Sequence, residues 1–321
     1  MARFQELSQQ FSAYFNKKHF PEYPENLYGA ASYMLEDGGK RIRPVLCLLG
    51  NELFSEIHPD SWKIAAALEL FHNFTLIHDD IMDKAPLRRG RSTVHAKYNE
   101  STALLAGDVM LLSAYGYLND TDTSNAKVLI SLLNKTGREV CEGQQMDMDF
   151  EKSTSIRLSE YLHMIELKTS VLLAASLLMG AIAGGASEEE KQLIYHFGIN
   201  LGLAFQMQDD LLDSFGNPAT FGKQKGGDIL ANKKTFLLVH ALEKANPTQK
   251  LMIMDLIQSS VPEKVERMIE MYQATGVEEA AQKAMKSYMD LAFANLDGIK
   301  VPASNKEPLK ELAEYLMKRE I

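Results

Sequence analysis

The chain has 321 residues, 45% of them hydrophobic, and its 34 Lys and Arg stand against 43 Asp and Glu for a net charge of −9. That is enough apolar material for one large domain or two ordinary ones, and it excludes disorder as the default. The acidic balance argues against a broad cationic face for nucleic acid or anionic lipid, so any anionic ligand has to be held locally. Cys47 and Cys141 are far apart and lack CxxC spacing, which supports neither a disulfide framework nor a zinc site. Both read as reduced core residues of a cytoplasmic protein.

In chain order, the opening MARFQELSQQFSAYFNKKHF is amphipathic and charged, and reads as a first helix rather than a secretory signal. Gly38 and Gly39 break the chain before Lys40, Arg41 and Arg43, and Pro44 suits the first turn of a following helix. Apolar residues at three- and four-residue spacing predict helices over 65–82, 102–118, 156–179, 191–212 and 234–242. Breaks fall between them at Pro86, Gly184-Gly185, Gly216-Asn217-Pro218 and Gly226-Gly227. Alternating runs flanked by hairpin turns are absent, so strands have little support. The segment 171–183, VLLAASLLMGAIA, falls short of the ~20 apolar residues of a bilayer span. It reads as a buried core helix, and no stable membrane span is expected. With no linker-like stretch, 1–321 reads as a single all-α domain.

Two constellations of charge stand out. Asp79-Asp80-Ile81-Met82-Asp83 and Asp209-Asp210-Leu211-Leu212-Asp213 repeat one DDxxD pattern, each after an apolar helical run. On a helix, Asp79 with Asp83 and Asp209 with Asp213 share a face, while Asp80 and Asp210 sit to the side. Such clusters recruit hard cations, and oxygen-only ligands with room for water suit Mg²⁺. The bland alternative is a solvated, salt-bridged helix end, which two identical motifs make less attractive. The cations are Lys40, Arg41 and Arg43 after the double glycine, Arg88 and Arg89 before Gly90, and the scattered Lys168, Lys223 and Lys233. Guanidiniums match phosphate oxygens bidentately. Neither an EF-hand loop nor a P-loop order is present. Acids for metal and bases for phosphate, without a nucleotide motif, point to a non-nucleotide diphosphate with a hydrophobic tail.

The motifs GGKRIRP, HNFTLIHDDIMD followed by PLRRG, EGQQMD, ELKTS, FQMQDDLLD and GKQKGGDILANKKT, in this order, resemble the trans-isoprenyl diphosphate synthases. The resemblance implies an all-α bundle around a deep central cavity, a homodimer, and two aspartate motifs facing each other across the cavity mouth. It implies that Asp79 and Asp83, with Asp80 nearby, hold Mg²⁺ on an allylic diphosphate, with Asp209 and Asp213 opposite. Arg88, Lys168, Lys223 and Lys233 would bind that diphosphate. Lys40, Arg43, His72 and Arg89 would bind isopentenyl diphosphate, and Thr169 and Gln206 would line the reacting carbons. A lone His on an apolar helix is ordinarily a satisfied core residue; only the family position of His72, seven residues before Asp79, reverses that. The acids of the first motif and Arg88 would then have Mg²⁺ and a diphosphate between them, with Pro86 turning the chain back over the ligand and Lys84 left on the surface.

A product tail would grow along the helix that ends in Asp79. Phe74 lies five residues upstream, about 7.5 Å deeper at 1.5 Å per residue. Spacing alone does not single it out from Phe71 or Thr75. The resemblance does: one large and one small residue, Phe74 and Thr75, in an uninterrupted first motif look like the C20 (geranylgeranyl) type more than the C15 (farnesyl) type. The rival readings are a longer-chain synthase and a non-catalytic regulatory subunit, which would ordinarily have lost one aspartate motif. A class I terpene cyclase would carry a different second metal motif, and a helical scaffold protein would leave both acid clusters unexplained.

Overall fold

The computed structural model describes residues 1–36, 38–121, 124–153, 155–216 and 225–318. Nearly all the described elements are helices, as the spacing predicts. Their contacts group into two compact units, one of residues 1–134, 176–191 and 301–309, the other of 135–175, 192–300 and 310–321.

In the first unit, α1 (Ala2–Phe15) buries Leu7, Phe11 and Phe15, a stripe at four-residue spacing. Helices α2 (Glu25–Leu35) and α3 (Ile42–Glu52) follow. Every residue of α3 from Pro44 to Asn51 is buried, so this helix sits inside the unit. The long α4 (Pro59–Met82) starts with Pro59 at its first turn, which needs no N–H there, and His58 accepts from the Asp60 amide. After a one-turn α5 (Val94–Lys97) comes α6 (Glu100–Asn119), which packs along α4. Gly107 on α6 leaves room for the His78 imidazole of α4; a Cβ there would strike the ring.

The second unit is built from α7 (Ala126–Lys152), α8 (Leu158–Ile165), a π-helical turn (Glu166–Ser170), α9 (Val171–Ala183) and α10 (Glu188–Phe215), with parts of α7, α9 and α10 belonging to the first. A short α11 (Gly227–Leu230), α12 (Phe236–Lys244), α13 (Pro247–Gln258), α14 (Lys264–Ala274), α15 (Val277–Gly298) and α16 (Ala303–Met317) complete the chain. The stretch Leu158–Ala183 is long and apolar enough to cross a membrane by composition. Its most apolar window is 78% buried inside the protein, as a core helix would be.

Two expectations are corrected. Strands are not wholly absent: Leu87–Arg88 and Arg91–Ser92 form an antiparallel hairpin. Its turn residues Arg89 and Gly90 both have positive φ (51° and 79°), the geometry that suits a two-residue hairpin. Strands two residues long are too short for alternation to register. Cys47 is buried but Cys141 is exposed. The buried stripe of α7 runs through Leu129, Leu133, Thr136, Val140 and Gly143, and Cys141 falls one residue off it.

Candidate active site

The first acidic motif closes α4. Asp83 caps the helix, and Lys84 takes the left-handed conformation (φ 50°). The amides of Lys84 and Ala85 then donate to the carbonyls of Ile81 and Asp80 at 3.2 and 3.0 Å. This is a Schellman closure with lysine where glycine is usual. Lys84 is a surface residue, as expected, with this backbone role added. Pro86 follows, Thr93 Oγ1 ties back to the Ala85 carbonyl at 2.8 Å, and the hairpin carries Arg88 back to the helix end.

Arg88 lands on an acid. Its Nε lies 2.9 Å from Asp80 Oδ2 and its Nη2 2.8 Å from Asp80 Oδ1, a bidentate pair, with Asp79 Oδ2 at 3.7 Å. Burial works against the charged guanidinium, but the hydrogen bonds and charge of Asp80, with Asp79 and Asp83, outweigh it and raise its pKa. The salt-bridged reading thus holds for this pair: Asp80, 2% exposed, spends its carboxylate on Arg88. Asp79 is half-buried and Asp83 exposed, so these two present oxygens from the helix end.

The basic loop before α3 is built from left-handed residues: Gly38, Gly39 and Arg41 have φ of 62°, 58° and 51°. At Gly39 there is a second reason for glycine, since a Cβ would come within 2.8 Å of Arg89 Nη1. The three cations of the loop separate. Lys40 is exposed. Arg41 turns inward to an ion pair with the buried Glu69 and lies over the Phe15 ring. Asn73 braces Glu69 Oε1 at 3.2 Å. Arg43 Nη1 lies 3.0 Å from His72 Nε2. Burial, and then the charges of Arg43, Arg89, Arg88 and Arg41, hold His72 well below the usual histidine range, so it is neutral and accepts from Arg43. Burial also pulls Arg43 down to about 10, helped by Arg89 and opposed by Glu69. Guanidiniums crowding a neutral imidazole leave a place where an anion gains.

The second motif ends α10. Asp209 is half-buried, whereas Asp210 and Asp213 are 3% and 8% exposed. Asp210 Oδ2 accepts from Tyr161 Oη at 2.6 Å and from the Phe236 amide at 3.0 Å, and its Oδ1 accepts from Gln206 Nε2 at 3.2 Å. Burial, with the charge of Asp228 second, pushes Asp210 up to about 7 against those donors. Asp213 Oδ2 accepts from the Asp228 amide at 3.0 Å, and its carbonyl from the Gly226 amide at 2.7 Å, which binds the segment carrying Lys233 to α10. Thr169 Oγ1 reaches Gln206 Oε1 at 3.4 Å, and Lys168 Nζ meets Asp147 Oδ2 at 2.6 Å. Both Lys168 and Thr169 stand on the π-helical turn, a feature common at functional sites. Lys223 lies outside the described residues.

The structure therefore gathers Lys40, Arg43, His72, Arg88, Arg89 and the first motif in one unit, and Lys168, Thr169, Gln206, Lys233 and the second motif in the other. Sequence reading missed the supporting residues Glu69, Asn73, Asp147 and Tyr161. Glu69 had a signal, as the one acid in the apolar run AAALELF, and Asp147 stood inside EGQQMD.

Residues 24–275 match the family model described as Polyprenyl synthetase. The chain belongs to this family. As a polyprenyl synthetase family member it is a prenyltransferase. It is 38% identical to a geranylgeranyl diphosphate synthase of Methanosarcina mazei over 299 residues, 92% of this chain and 91% of that protein. It is 34% identical to a geranylfarnesyl diphosphate synthase of Natronomonas pharaonis, over 92% and 91% of the two chains. A crystal structure of a geranylgeranyl pyrophosphate synthase superposes with a TM-score of 0.93 at 40% identity, covering 99% of both chains. One from Corynebacterium glutamicum, complexed with isoprenyl diphosphate and magnesium, superposes at 0.81 with 28% identity, covering 99% and 97%. The all-α architecture is thus the isoprenoid synthase fold of these relatives.

Proposed function

We propose that the chain condenses isopentenyl diphosphate with an allylic diphosphate, head to tail, to give a short all-trans prenyl diphosphate, C20 in preference to C15. The observation that carries this is the neutral His72 beside Arg43 and Arg89, a ready anion site two helical turns from the half-buried Asp79, with the exposed Asp83 one turn further. Isopentenyl diphosphate would be held by Lys40, Arg43, His72 and Arg89. The allylic diphosphate would be held by Lys168, Lys223, Lys233 and Arg88, the last steadied on Asp80.

The acids fit Mg²⁺: Asp79 and Asp83 offer oxygen donors one helical turn apart and exposed enough to leave the ion its waters, with Asp209 as the half-exposed acid of the second motif. Bound magnesium would supply charge neutralisation for the departing diphosphate. The cationic side chains share that task as the allylic C–O bond ionises. Thr169 and Gln206 would turn oxygen dipoles toward the reacting carbons, favouring positive charge there. The isopentenyl double bond attacks the allylic carbon, and the proton then lost passes to the released diphosphate. Water has to be kept out, since it would capture the cation.

Chain length rests on Phe74, half-buried and edge-on to Phe71 and His78 at ring distances of 5.5 and 4.8 Å, beside the small Thr75. A single catalytic domain over 1–321, acting as a cytoplasmic homodimer, completes the proposal. Incubation with Mg²⁺, isopentenyl diphosphate and each of dimethylallyl, geranyl and farnesyl diphosphate, followed by product mass, tests it. No condensation with any primer overturns it. Phe74→Ala is expected to lengthen the product by one or more C5 units; an unchanged product distribution would place the floor elsewhere.

A further inference from the structure

Lys264 is a buried lysine, 4% exposed, at the start of α14. Its ammonium donates to Asn232 Oδ1 at 2.8 Å and to the Ile257 carbonyl at 3.2 Å. Among the described residues its partners are neutral oxygens, with no carboxylate. Burying a cation without a counter-ion is costly, and a bare structural role would be served as well by an apolar side chain.

Asn232 shows what the lysine holds. It is left-handed (φ 55°), its amide returns to the Ile229 carbonyl at 3.2 Å, and the next amide, of Lys233, returns to the Asp228 carbonyl at 3.0 Å. Asn232 is therefore the residue at which the chain turns out of α11 and sets the direction from which Lys233 departs. The same helix grips the other end of the segment, where the Val265 side chain closes on Gly226 and a Cβ would come within 3.0 Å of Cγ2. Asp213 of α10 takes the Gly226 and Asp228 amides. Segment 226–233 is thus held both by α10 and by the first turn of α14.

We propose that Lys264 is a positioning residue for the allylic diphosphate: it fixes Asn232 in its left-handed turn, and through it Lys233, while placing a positive charge behind the loop. This rests on the reading of Lys233 as a diphosphate ligand.

The test uses the full chain with Mg²⁺, comparing Lys264→Met, Asn232→Gly and Lys233→Ala. Lys264→Met keeps the aliphatic stem and removes the charge. Asn232→Gly keeps the left-handed turn accessible and removes the acceptor. Both are expected to raise KM for the allylic diphosphate about 5- to 20-fold while KM for isopentenyl diphosphate stays within about 2-fold, because displacing a ligand-holding group weakens only what it holds. The melting temperature of Lys264→Met should be unchanged or higher. Unchanged allylic KM in both variants, alongside a raised one in Lys233→Ala, overturns the inference. So does an equal rise in both KM values with a lowered melting temperature in both variants, the mark of a structural role alone. If Lys264→Met does not fold, Asn232→Gly decides by the same two constants. An unchanged allylic KM in Lys233→Ala overturns instead the assignment of Lys233, and the inference with it.

Discussion

Asp80 and Asp210 hold the same place in two identical motifs and are almost equally buried, at 2% and 3% exposure, but they are kept there by different means. Asp80 is matched by a full opposite charge, the bidentate Arg88. Asp210 is matched by neutral donors, the Tyr161 hydroxyl, the Phe236 amide and the Gln206 amide group, and its pKa rises to about 7. The lesson is that a DDxxD motif contains two kinds of acid. The middle one fastens the helix end to its neighbours. Asp79 and Asp209 stay half-buried and Asp83 exposed, while Asp213 is turned onto the following segment.

The largest effect expected is on the acids proposed to meet the cation. Asp79→Ala and Asp209→Ala should each lower kcat about 10³-fold or more, the scale on which lost electrostatic stabilisation of a departing group is felt, with melting temperatures near that of the parent. Steady-state assays and thermal melts made side by side check this; a variant that keeps activity breaks the division into two kinds of acid.

Next comes Arg88→Met, which leaves Asp80 buried without its counter-charge and should destabilise the fold by about 3–5 kcal/mol. Urea unfolding measures it. A loss of activity with unaltered stability would mean that Arg88 serves the ligand alone.

Asp210→Asn should go the other way, and in a pH-dependent manner. The folded pKa of about 7 lies above the ~3.9 of an unfolded aspartate. Below pH ~4 both states are protonated, and the favourable contribution of the buried carboxyl is whole. Between pH ~4 and ~7 the unfolded chain ionises first and that contribution is lost. The metal-free variant should therefore gain on the parent as pH rises from 5 to 8, by about 2.5 kcal/mol. Melts across that range would show parallel curves if Asp210 were instead ionised throughout.

The smallest effect is at Lys84. Replacing a non-glycine residue in the left-handed position of the Schellman closure by glycine relieves backbone strain, so Lys84→Gly should stabilise by about 0.5–1 kcal/mol in unfolding titrations, with activity unchanged.

The helices leading into the two acidic motifs were legible because apolar spacing reports burial directly, and the motif order named the candidate site residues; α2, α7 and the helices from 247 onward were not singled out. What was not legible depended on pairing across the chain. Pro86 pointed to a turn back of the chain, but nothing in the run Pro86 to Gly90 says that Arg88 would settle on Asp80 itself, because that depends on a hairpin only two residues deep. Tyr161 looked like any aromatic on an apolar helix until α10 supplied Asp210. Asp147 was visible inside a quoted motif, but spacing along α7 could not tell that it meets Lys168. Cys141 was misplaced by a single residue, one helical step from a buried valine.

The π-helical turn carries one residue more than an α-helix would use there, and it lets two packing registers coexist on one rod. Behind it, Gly143 sits so close to the Lys168 backbone that a Cβ would come within 2.8 Å of Lys168 Cα. Ahead of it, Gly202 and Gly198 receive Ser170 and Ala174 just as closely. Each α-helical residue turns the chain by about 100°. Deleting one residue from Glu166–Ser170 would heal the helix and rotate one set of contacts out of mesh with the other. The extra residue acts as a phase shifter: it sets the angle between the contact of Gly143 at Lys168 and those of Gly202 and Gly198 at Ser170 and Ala174, so that all three close on one continuous helix.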